Sequence, residues 1–477
     1  MNFSEPVRRL ARERPEAIAI VRLRGAPLTW RELDRLVDGL AHRLIGAGIR
    51  AGDIVHLALS RPFRQLVLEL ALARFGAAAS AATLPPSLAK GCLIEDASDA
   101  GLHPSTHLID SSWFEPLRSA PAPVPMQEDA NALAILCPSS GTTGIPKAIP
   151  ITHGQLASRI AASNAGGPLP ATPRAICLPT PSSGYGIVSA MRVLGAGGTL
   201  VFAATPEEIV SAGTAHRVNH IVMMPYWIDR IVEALAPDGR LPALEQIEVG
   251  GAFLPRPLHA LAREHLCQRI FSVYGVTEAG SVAMGDFDRL DLDAGEVGRV
   301  LPGIEVVAFD TDGRALPPGA EGMLRVRGAV CSSQYVGDPA ASATTFGDGW
   351  LNTPDLGRVA LDGTVTLVGR VGELIVVGGY KVRPTLVEDA LLSITEIEDA
   401  AAFGAPGVNG ATQLCAAFVS REPIDMAALE SAIRARLSKF APSFVMRVPR
   451  VPRNAGGKIM RDELASMAKA AGIEQRK

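Results

Sequence analysis

The chain has 477 residues, of which 47% are hydrophobic and 20% are charged, and its formal net charge is −3. These values indicate a globular protein with a large core and two or three domains. The small net charge excludes a general attraction to nucleic acid or anionic membranes, so any phosphate binding must be local.

The six cysteines are scattered along the chain without a Cys-x-x-Cys pair, which predicts buried thiols in a reduced protein. The N-terminal residues lack the apolar core of a signal peptide, and no apolar stretch of about 18 residues could span a bilayer. We therefore expect a soluble protein of the cytoplasm.

Helical patterns and short apolar strands alternate through the first part of the chain. Thr29 and Glu32 have the spacing of a capping box, which begins a helix with leucines on one face. Short apolar runs follow at 54–59, 132–137, 200–203, 221–224 and 270–274. This alternation predicts an α/β fold of mixed, largely parallel sheets covered by helices. Ligands of such folds bind at the carboxyl ends of the strands.

One polar loop leaves such a strand end at residues 139–147. Its glycines, hydroxyls and lysine are Ser139, Ser140, Gly141, Thr142, Thr143, Gly144 and Lys147. Glycines let successive N–H groups face one anion, hydroxyls add donors, and lysine adds a positive charge. The spacing differs from that of a Walker P-loop. The pattern predicts a polyphosphate-binding loop, with a flexible surface loop as the alternative for this stretch taken alone.

The texture of the sequence changes twice in its second half. After about residue 295, short alternating strands with turn signals indicate a smaller β-rich unit. Beyond Arg370 a final segment has about the length of a small independent domain.

Further motifs follow the polar loop in order. They are Gly250-Gly251-Ala252, Tyr274-Gly275-Val276-Thr277-Glu278, Thr353-Pro354-Asp355-Leu356-Gly357, Gly369-Arg370, Gly378-Gly379-Tyr380-Lys381 and Gly456-Gly457-Lys458. Together these motifs resemble those of the adenylate-forming superfamily, which includes acyl-CoA synthetases, adenylation domains of peptide synthetases and firefly luciferase. The resemblance runs over essentially the whole chain and is strongest to an acyl-CoA synthetase.

The resemblance implies a division of the chain into two domains. Residues 1–370 would form a large ATP- and acid-binding domain, with a small β-barrel-like subdomain at about 295–370. Residues 371–477 would form a small, mobile α+β domain that contains the catalytic Lys458. The implied reaction uses ATP and Mg²⁺ to convert a monocarboxylic acid to an acyl-adenylate, releases pyrophosphate, and transfers the acyl group to the thiol of coenzyme A.

The resemblance also implies the roles of the motif residues. The polar loop, including Lys147, would hold the β- and γ-phosphates, Thr277 would contact the α-phosphate, and Glu278 would position Mg²⁺. Adenine would lie against Tyr274 and the adjoining Gly275, with the backbone of Gly250, Gly251 and Ala252 along its edge. Asp355 would bind the ribose hydroxyls with Arg370 beside it. Lys458 would bridge the substrate carboxylate and the phosphate.

By the same resemblance, the acid pocket has small, apolar or aromatic walls, which suit an alkyl or aryl acid. These walls include Gly184, Tyr185, Tyr226, Gly251, Val276 and Ala279. Amino-acid-activating relatives place an aspartate where our alignment puts Gly184. An amino acid substrate is therefore disfavoured.

Domain rotation is a further implication of the resemblance. Gly372 occupies the hinge position, where the family usually has aspartate or lysine, and glycine still permits rotation. Gly378, Gly379 and Lys381 would line the thiol channel. Pro354 replaces a usual glycine and fixes φ beside Asp355.

Two alternative functions stay open. One is a stand-alone ligase that loads a carrier protein's phosphopantetheine, although the absence of a fused carrier domain favours CoA. The other is a non-catalytic nucleotide- or acyl-AMP-binding protein, which the presence of Lys147, Glu278, Asp355 and Lys458 disfavours.

The sequence around Lys458 also resembles sites modified by lysine acetyltransferases. The basic run near the C-terminus lacks interleaved aromatic residues, so we expect no nucleic-acid partner.

Overall fold

The structure is a computed structural model. It describes residues 2–23, 25–82, 84–85, 87–96, 99, 101, 103–114, 121–139, 147–236, 239–292, 294–371, 374–377, 380–407, 411–453 and 459–472. Of Lys381, only the backbone is described.

The α-helices are α1 (Glu5–Glu13), α2 (Trp30–Gly46), α3 (Pro62–Arg74), α4 (His153–Gly166), α5 (Gly184–Gly195), α6 (Pro206–Ala215), α7 (Trp227–Ala234), α8 (Arg256–His265), α9 (Pro339–Thr345), α10 (Pro384–Leu392), α11 (Met426–Leu437) and α12 (Arg461–Ala470). The predicted capping box at the start of α2 is confirmed, because Thr29 accepts from the N–H of Glu32 and the Glu32 carboxylate accepts from the N–H of Thr29. Such reciprocal bonds satisfy backbone donors that the first helical turn leaves unpaired.

The strands are β1 (Ile18–Arg22), β2 (Leu28–Thr29), β3 (Ile54–Ala58), β4 (Ala78–Ser80), β5 (Gly91–Ile94), β6 (Thr106–Leu108), β7 (Leu133–Pro138), β8 (Ala148–Thr152), β9 (Arg174–Cys177), β10 (Thr199–Phe202), β11 (His220–Met223), β12 (Gln246–Gly250), β13 (Arg269–Val276), β14 (Gly280–Asp286), β15 (Glu296–Val300), β16 (Ile304–Phe309), β17 (Gly322–Gly328), β18 (Phe346–Gly347), β19 (Trp350–Val359), β20 (Thr364–Arg370), β21 (Ile375–Val377), β22 (Tyr380–Val382), β23 (Ile397–Pro406), β24 (Thr412–Ser420) and β25 (Phe444–Arg447).

The large sheet has the strand order β16-β17-β19-β20-β15-β14-β13-β12-β11-β9-β10-β1-β2, with β18 paired to β19. Pairing is parallel from β1 through β10, β9, β11 and β12 to β13. It turns antiparallel at β13 and β14 and stays so through the β-rich segment. The strands of residues 296–370 therefore extend the large sheet, and the pairing among them describes no closed barrel within the described chain.

A second sheet has the order β6-β5-β3-β4-β7-β8 and is parallel except for the pairing of β7 with β8. Buried residues of α2 and α3 share one hydrophobic cluster with β3, β7 and α5. This packing fixes β7, and with it the start of the predicted phosphate loop at Ser139.

The last part of the described chain has its own small sheet, β23-β24-β25, and the separate hairpin β21-β22. Its two hydrophobic clusters contain only residues from Ile375 onward, and the four clusters of the preceding described chain contain no residue beyond Leu367. The predicted fold class, a large α/β unit and a small α+β unit, is confirmed. The boundary at residues 370 and 371 stays a prediction.

The structure bears on the expectations about membrane spans and cysteines. Within the described ranges, no helix has both the length and the apolar character that crossing a bilayer requires. All six cysteines are free thiols, four of them buried and two partly buried. Burial raises the pKa of Cys137 and Cys415 to about 12, so these thiols stay protonated and unreactive.

Candidate functional site

Two hydrogen bonds hold the two ends of the predicted phosphate loop next to each other. The N–H of Ser139 donates to the carbonyl oxygen of Lys147 at 2.8 Å, and the N–H of Lys147 donates to Ser139 Oγ at 3.0 Å. The two ends of the loop thus leave β7 and enter β8 side by side. Ser140, Gly141, Thr142, Thr143 and Gly144 lie outside the described residues.

Lys147 faces an aromatic ring that links it to Glu278. Its Nζ lies 4.8 Å from the centre of the Tyr335 ring, and Tyr335 Oη donates to Glu278 Oε1 at 2.8 Å. Burial, followed by the charge of Glu278, raises the pKa of Tyr335 above its usual value, so the phenol remains a donor. One aromatic side chain therefore joins the residue predicted for phosphate and the residue predicted for metal.

Tyr335 was not identified from the sequence. It reaches the site because the N–H of Val336 donates to the carbonyl oxygen of Ala148 at 2.9 Å. That pairing joins segments 188 residues apart by their numbers, and no local periodicity signals it. The local clue is a tyrosine two residues before a glycine, Gly337, in a polar segment.

Arg159 is a second residue that sequence reasoning missed, and it fixes the turn after β13. Its fully buried guanidinium donates to the carbonyl oxygens of Thr277 at 3.1 Å, Glu278 at 2.7 Å and Val330 at 2.9 Å. Burial lowers its pKa to about 10, which still leaves it protonated at neutral pH. The positions of Thr277 and Glu278 thus depend on a cation in α4.

Asp355, Tyr274 and Arg370, which the sequence assigns to ribose and adenine, come together. The Asp355 carboxylate is 3% exposed; its Oδ2 accepts from Tyr274 Oη at 2.7 Å and its Oδ1 from Arg370 Nε at 2.6 Å. Asp355 and Arg370 are opposite partners in the pairing of β19 with β20. Burial and the neighbouring carboxylate raise the pKa of Tyr274, so its hydroxyl donates to Asp355.

Glycines at the ends of β12 and β13 allow backbone segments to lie closer together than a side chain would permit. A Cβ at Gly275 would lie 2.2 Å from the carbonyl oxygen of Gly280, so no side chain fits there. Gly251 has φ +83°, in the left-handed region that favours glycine. These positions let β12 and β13 end in tight turns, which present Ala252 and Thr277 next to the strand ends.

The predicted acid pocket is partly assembled around the start of α5. A Cβ at Gly184 would lie 3.7 Å from the carbonyl oxygen of Thr277, and one at Gly250 would lie 3.1 Å from the Tyr185 ring. Ala279 is buried, and its N–H donates to the carbonyl oxygen of Val276 at 3.0 Å. The rings of Tyr226 and Trp227 lie 5.4 Å apart at the start of α7. A Cβ at Gly251 would lie 3.4 Å from Met224, just before Tyr226.

The remaining predicted residues are not located. Gly372, Gly378, Gly379 and Lys458 lie outside the described residues, and Lys381 is known only as a backbone position in β22. The predicted hinge, thiol channel and catalytic lysine therefore stay predictions.

The described residues contain no group of three His, Cys, Asp or Glu side chains that could hold a metal ion. Glu278 offers one carboxylate, whose Oε1 is oriented by Tyr335. Mg²⁺ commonly takes one or two carboxylates and completes its octahedron with phosphate oxygens and water. A single carboxylate beside a phosphate loop fits such an ion.

Comparisons with known proteins bear on the whole chain. Feruloyl-CoA synthase from Amycolatopsis sp. is 30% identical over 97% of this chain and 98% of its own. The medium/long-chain-fatty-acid acyl-carrier-protein ligase FadD10 from Mycobacterium tuberculosis is 27% identical over 96% and 94%. Surfactin synthase subunit 2 from Bacillus subtilis is 26% identical over 97% of this chain, which spans only 14% of that protein.

The solved structure of ATP-bound MatB from Rhodopseudomonas palustris superposes with a TM-score of 0.85 over 99% of this chain and all of its own, at 23% identity, which shows the shared fold. The model of the AMP-binding enzyme family matches residues 7–336, and the model of the AMP-binding enzyme C-terminal domain matches residues 386–458. These matches cover most of the chain, and the ordered motifs and the clustered Asp355, Tyr274 and Arg370 agree with them. This chain therefore belongs to the AMP-binding enzyme family.

Proposed function

We propose that this protein is an acid-thiol ligase that uses ATP to activate a monocarboxylic acid and transfers the acyl group to coenzyme A. The observation that supports it most is the buried Asp355, tied to both Tyr274 and Arg370. A carboxylate held by two donors at the end of a sheet suits a ribose, whose adjacent hydroxyls would donate to it.

The reaction proceeds in two balanced steps. A carboxylate oxygen of the acid attacks the α-phosphorus of ATP, and the bond to the β-phosphate oxygen breaks to release pyrophosphate. The thiol sulfur then attacks the acyl carbon, loses its proton, and AMP departs with the former carboxylate oxygen. Two anions must meet in the first step, which requires concentrated positive charge.

The resemblance of the motifs assigns this work to particular residues. Lys147 and the polar loop hold the β- and γ-phosphates, Thr277 holds the α-phosphate, and Lys458 joins the acid to the nucleotide. Tyr335 keeps Glu278 oriented through its 2.8 Å hydrogen bond. Mg²⁺ bound at Glu278 would neutralise charge on the departing pyrophosphate.

The class of acid and the identity of the thiol acceptor are more specific proposals. Gly184, Val276 and Ala279 are predicted to line the acid pocket, and their small, apolar side chains support an alkyl or aryl acid. The name of the feruloyl-CoA synthase relative supports CoA as acceptor, and that of FadD10 supports a carrier protein as the second candidate. Both acceptors present the same phosphopantetheine thiol. Acetylation of Lys458 is a prediction on which no comparison bears.

The test of the first step measures pyrophosphate released from MgATP with a panel of straight-chain and aromatic acids. We expect release only when a suitable acid is present. Glu278→Ala and Lys458→Ala should each lower the rate by about 100-fold or more. Glu264→Ala is the control, because that side chain is 72% exposed on α8. Acyl-adenylate formation by Lys458→Ala at the wild-type rate would contradict its assigned role. Nucleotide binding without acid-dependent release would instead favour the non-catalytic alternative.

A second measurement distinguishes the acceptors. With pre-formed acyl-AMP, thioester formation is followed with CoA and, separately, with a phosphopantetheinylated carrier protein. We expect the CoA thioester to form faster; the opposite order would favour the carrier-protein ligase. Gly379→Leu should suppress thioester formation while adenylation continues, because the added side chain would obstruct the predicted thiol channel. Equal loss of both steps would contradict that channel.

A further inference from the structure

A cavity of about 450 Å³ lies at the carboxyl end of β3, outside the motifs of the candidate site. Its walls include Ala58 and Leu59 at the end of β3, Ala81 after β4, and Ser182 in the loop that leads into α5. This volume is within the range of about 300–1,000 Å³ that is typical of small-molecule sites. β3 pairs in parallel with β4 and β5, and ligands of such sheets bind beyond the carboxyl ends of the strands.

His56 lines this cavity from the middle of β3. The residue is 7% exposed, and no partner reaches its Nδ1 among the described residues. Burial lowers the pKa of His56, although the carbonyl oxygens of Ser80 and Ala82 favour its proton. The ring is therefore neutral at physiological pH, with one donor and one acceptor nitrogen. Because Nδ1 has no partner, those carbonyl oxygens face Nε2, and Nδ1 remains as an unused acceptor.

Two other polar side chains of the wall use their donors elsewhere. Gln65 is 3% exposed, and its Nε2 donates to Glu69 Oε1 at 2.6 Å. Ser60 Oγ donates to Glu95 Oε2 at 2.8 Å. These side chains therefore offer a ligand oxygen acceptors, because their donors are already bonded.

Asp99 gives the wall a negative charge. Within the described chain, no hydrogen bond or ion pair reaches its carboxylate, and the described wall residues include no lysine or arginine. The neighbouring carboxylate of Glu95 is already paired with Arg64 at 2.7 Å. A carboxylate beside unused acceptors favours a positively charged ligand that has several N–H donors.

We propose that this cavity is a second small-molecule site, which binds a primary amine with an alkyl or aryl body. An ammonium group has three donors and no acceptor, so it complements the carboxylate of Asp99 and the acceptors of Gln65 and His56. The apolar body would pack against Ala58 and Leu59. The site is independent of the proposed reaction, because none of these residues has a role in it.

Isothermal titration calorimetry on the whole protein tests this site with matched probes. Phenethylamine is compared with phenethyl alcohol, and putrescine with butanediol, at physiological ionic strength. Each alcohol replaces the charged groups of its partner with neutral hydroxyls. We expect at least one amine to bind with a Kd below about 1 mM, and at least about tenfold more tightly than its alcohol.

Three variants assign the binding to this cavity. Asp99→Asn removes the charge and keeps the shape of the side chain, so amine binding should weaken by about tenfold or more. Ala81→Leu adds bulk to the wall and should abolish binding of amine and alcohol alike. Glu128→Gln is the matched control, because it removes one carboxylate charge from an exposed residue that is not part of the wall. That control should keep the wild-type affinity.

Several outcomes would overturn this proposal. Equal binding of amine and alcohol, or tighter binding of butyrate or inorganic phosphate, would contradict the chemistry assigned to the cavity. Saturable binding by neither amine would do the same, and these wild-type measurements decide the point even if a variant folds poorly. Binding that both Asp99→Asn and Ala81→Leu leave unchanged would place the amine elsewhere. None of these results bears on the ligase function, because the titrations contain neither ATP nor a substrate acid that could be activated.

Discussion

Glu69 is a fully buried carboxyl group in α3, distant in sequence from the site motifs. Gln65 Nε2 donates to its Oε1 at 2.6 Å, and its Oε2 has no partner among the residues that the structure describes. Burial raises the pKa of Glu69 to about 8 from its usual 4.5. Single residues can thus make stability depend on pH without any role in the reaction.

Glu69→Gln should stabilise the protein more at pH 8 than at pH 5. The unfolded chain loses the Glu69 proton near pH 4.5, whereas the folded chain keeps it until about pH 8. Wild-type stability therefore falls, relative to the variant, as the pH rises through this window. Thermal unfolding midpoints at both pH values measure the difference. Glu16→Gln, at a 71% exposed side chain that pairs with Arg31, should show no such trend. An equal effect of Glu69→Gln at both pH values would contradict the raised pKa.

Tyr335→Phe should weaken the use of MgATP without unfolding the protein. The change keeps the ring below Lys147 and removes the hydrogen bond to Glu278. Hydrogen bonds to charged groups contribute about 1.5–3 kcal/mol, so kcat/KM for MgATP should fall by about 10-fold or more. A higher Mg²⁺ concentration for half-maximal activity should accompany this loss. Unchanged Mg²⁺ dependence would show that Glu278 does not need this orientation.

At the scale of elements, α4 and the turn between β13 and β14 act as one unit. Arg159 joins them through three carbonyl oxygens. Gly280 has φ +73°, and a Cβ there would lie 3.0 Å from the Arg159 side chain, so glycine suits this position. The turn that presents Thr277 and Glu278 is thus held in place by α4, a helix that precedes it by more than 100 residues.

Arg159→Met should destabilise the protein strongly and also lower adenylation. Removing the guanidinium takes a donor from three carbonyl oxygens, of which that of Glu278 keeps the N–H of Ser332 at 2.8 Å. Each buried carbonyl oxygen that is left unpaired costs about 1–3 kcal/mol. Thermal unfolding and pyrophosphate release measure the two effects. Ser158→Ala, the adjacent position in α4, should change neither by much, because among the described residues the Ser158 hydroxyl donates only to the helical carbonyl oxygen of Gly154, at 3.0 Å. A variant with the wild-type midpoint would contradict the structural role of Arg159.

At the scale of the whole molecule, the hydrophobic clusters fall into two sets. Among the described residues, four clusters contain residues no later than Leu367, and two contain residues no earlier than Ile375. Arg421 and Glu233 form an ion pair between the two parts at 3.0 Å, with exposures of 74% and 62%. Such exposed pairs contribute about 0–1 kcal/mol, so this bond is easily broken if the small domain rotates.

Calorimetry should therefore resolve two unfolding transitions. Phe418→Ala, in the fully buried core of the small unit, should cost about 3–5 kcal/mol and shift only one transition. Leu68→Ala, equally buried in the large unit, should shift only the other. A single transition that both variants shift equally would show that the two units unfold together.

Local sequence patterns determined much of the secondary structure and the order of the site motifs. The helix at Thr29, the strand before Ser139 and the strand before Thr277 were predictable because capping, apolar runs and turn glycines act between near neighbours. The family resemblance rests on the same local motifs. The meeting of Asp355 with Arg370 agrees with the roles implied for them, and those roles stay predictions.

Only the tertiary structure decided which distant residues support the site. Tyr335 reaches Glu278 through the pairing of Ala148 with Val336, Arg159 reaches the turn after β13, and the strands of residues 296–370 extend the large sheet. Arg192 and Glu248, whose charges suggest surface positions, are paired in the interior. Such contacts join residues far apart in the chain, and their free energy depends on burial and geometry, which local periodicity does not specify.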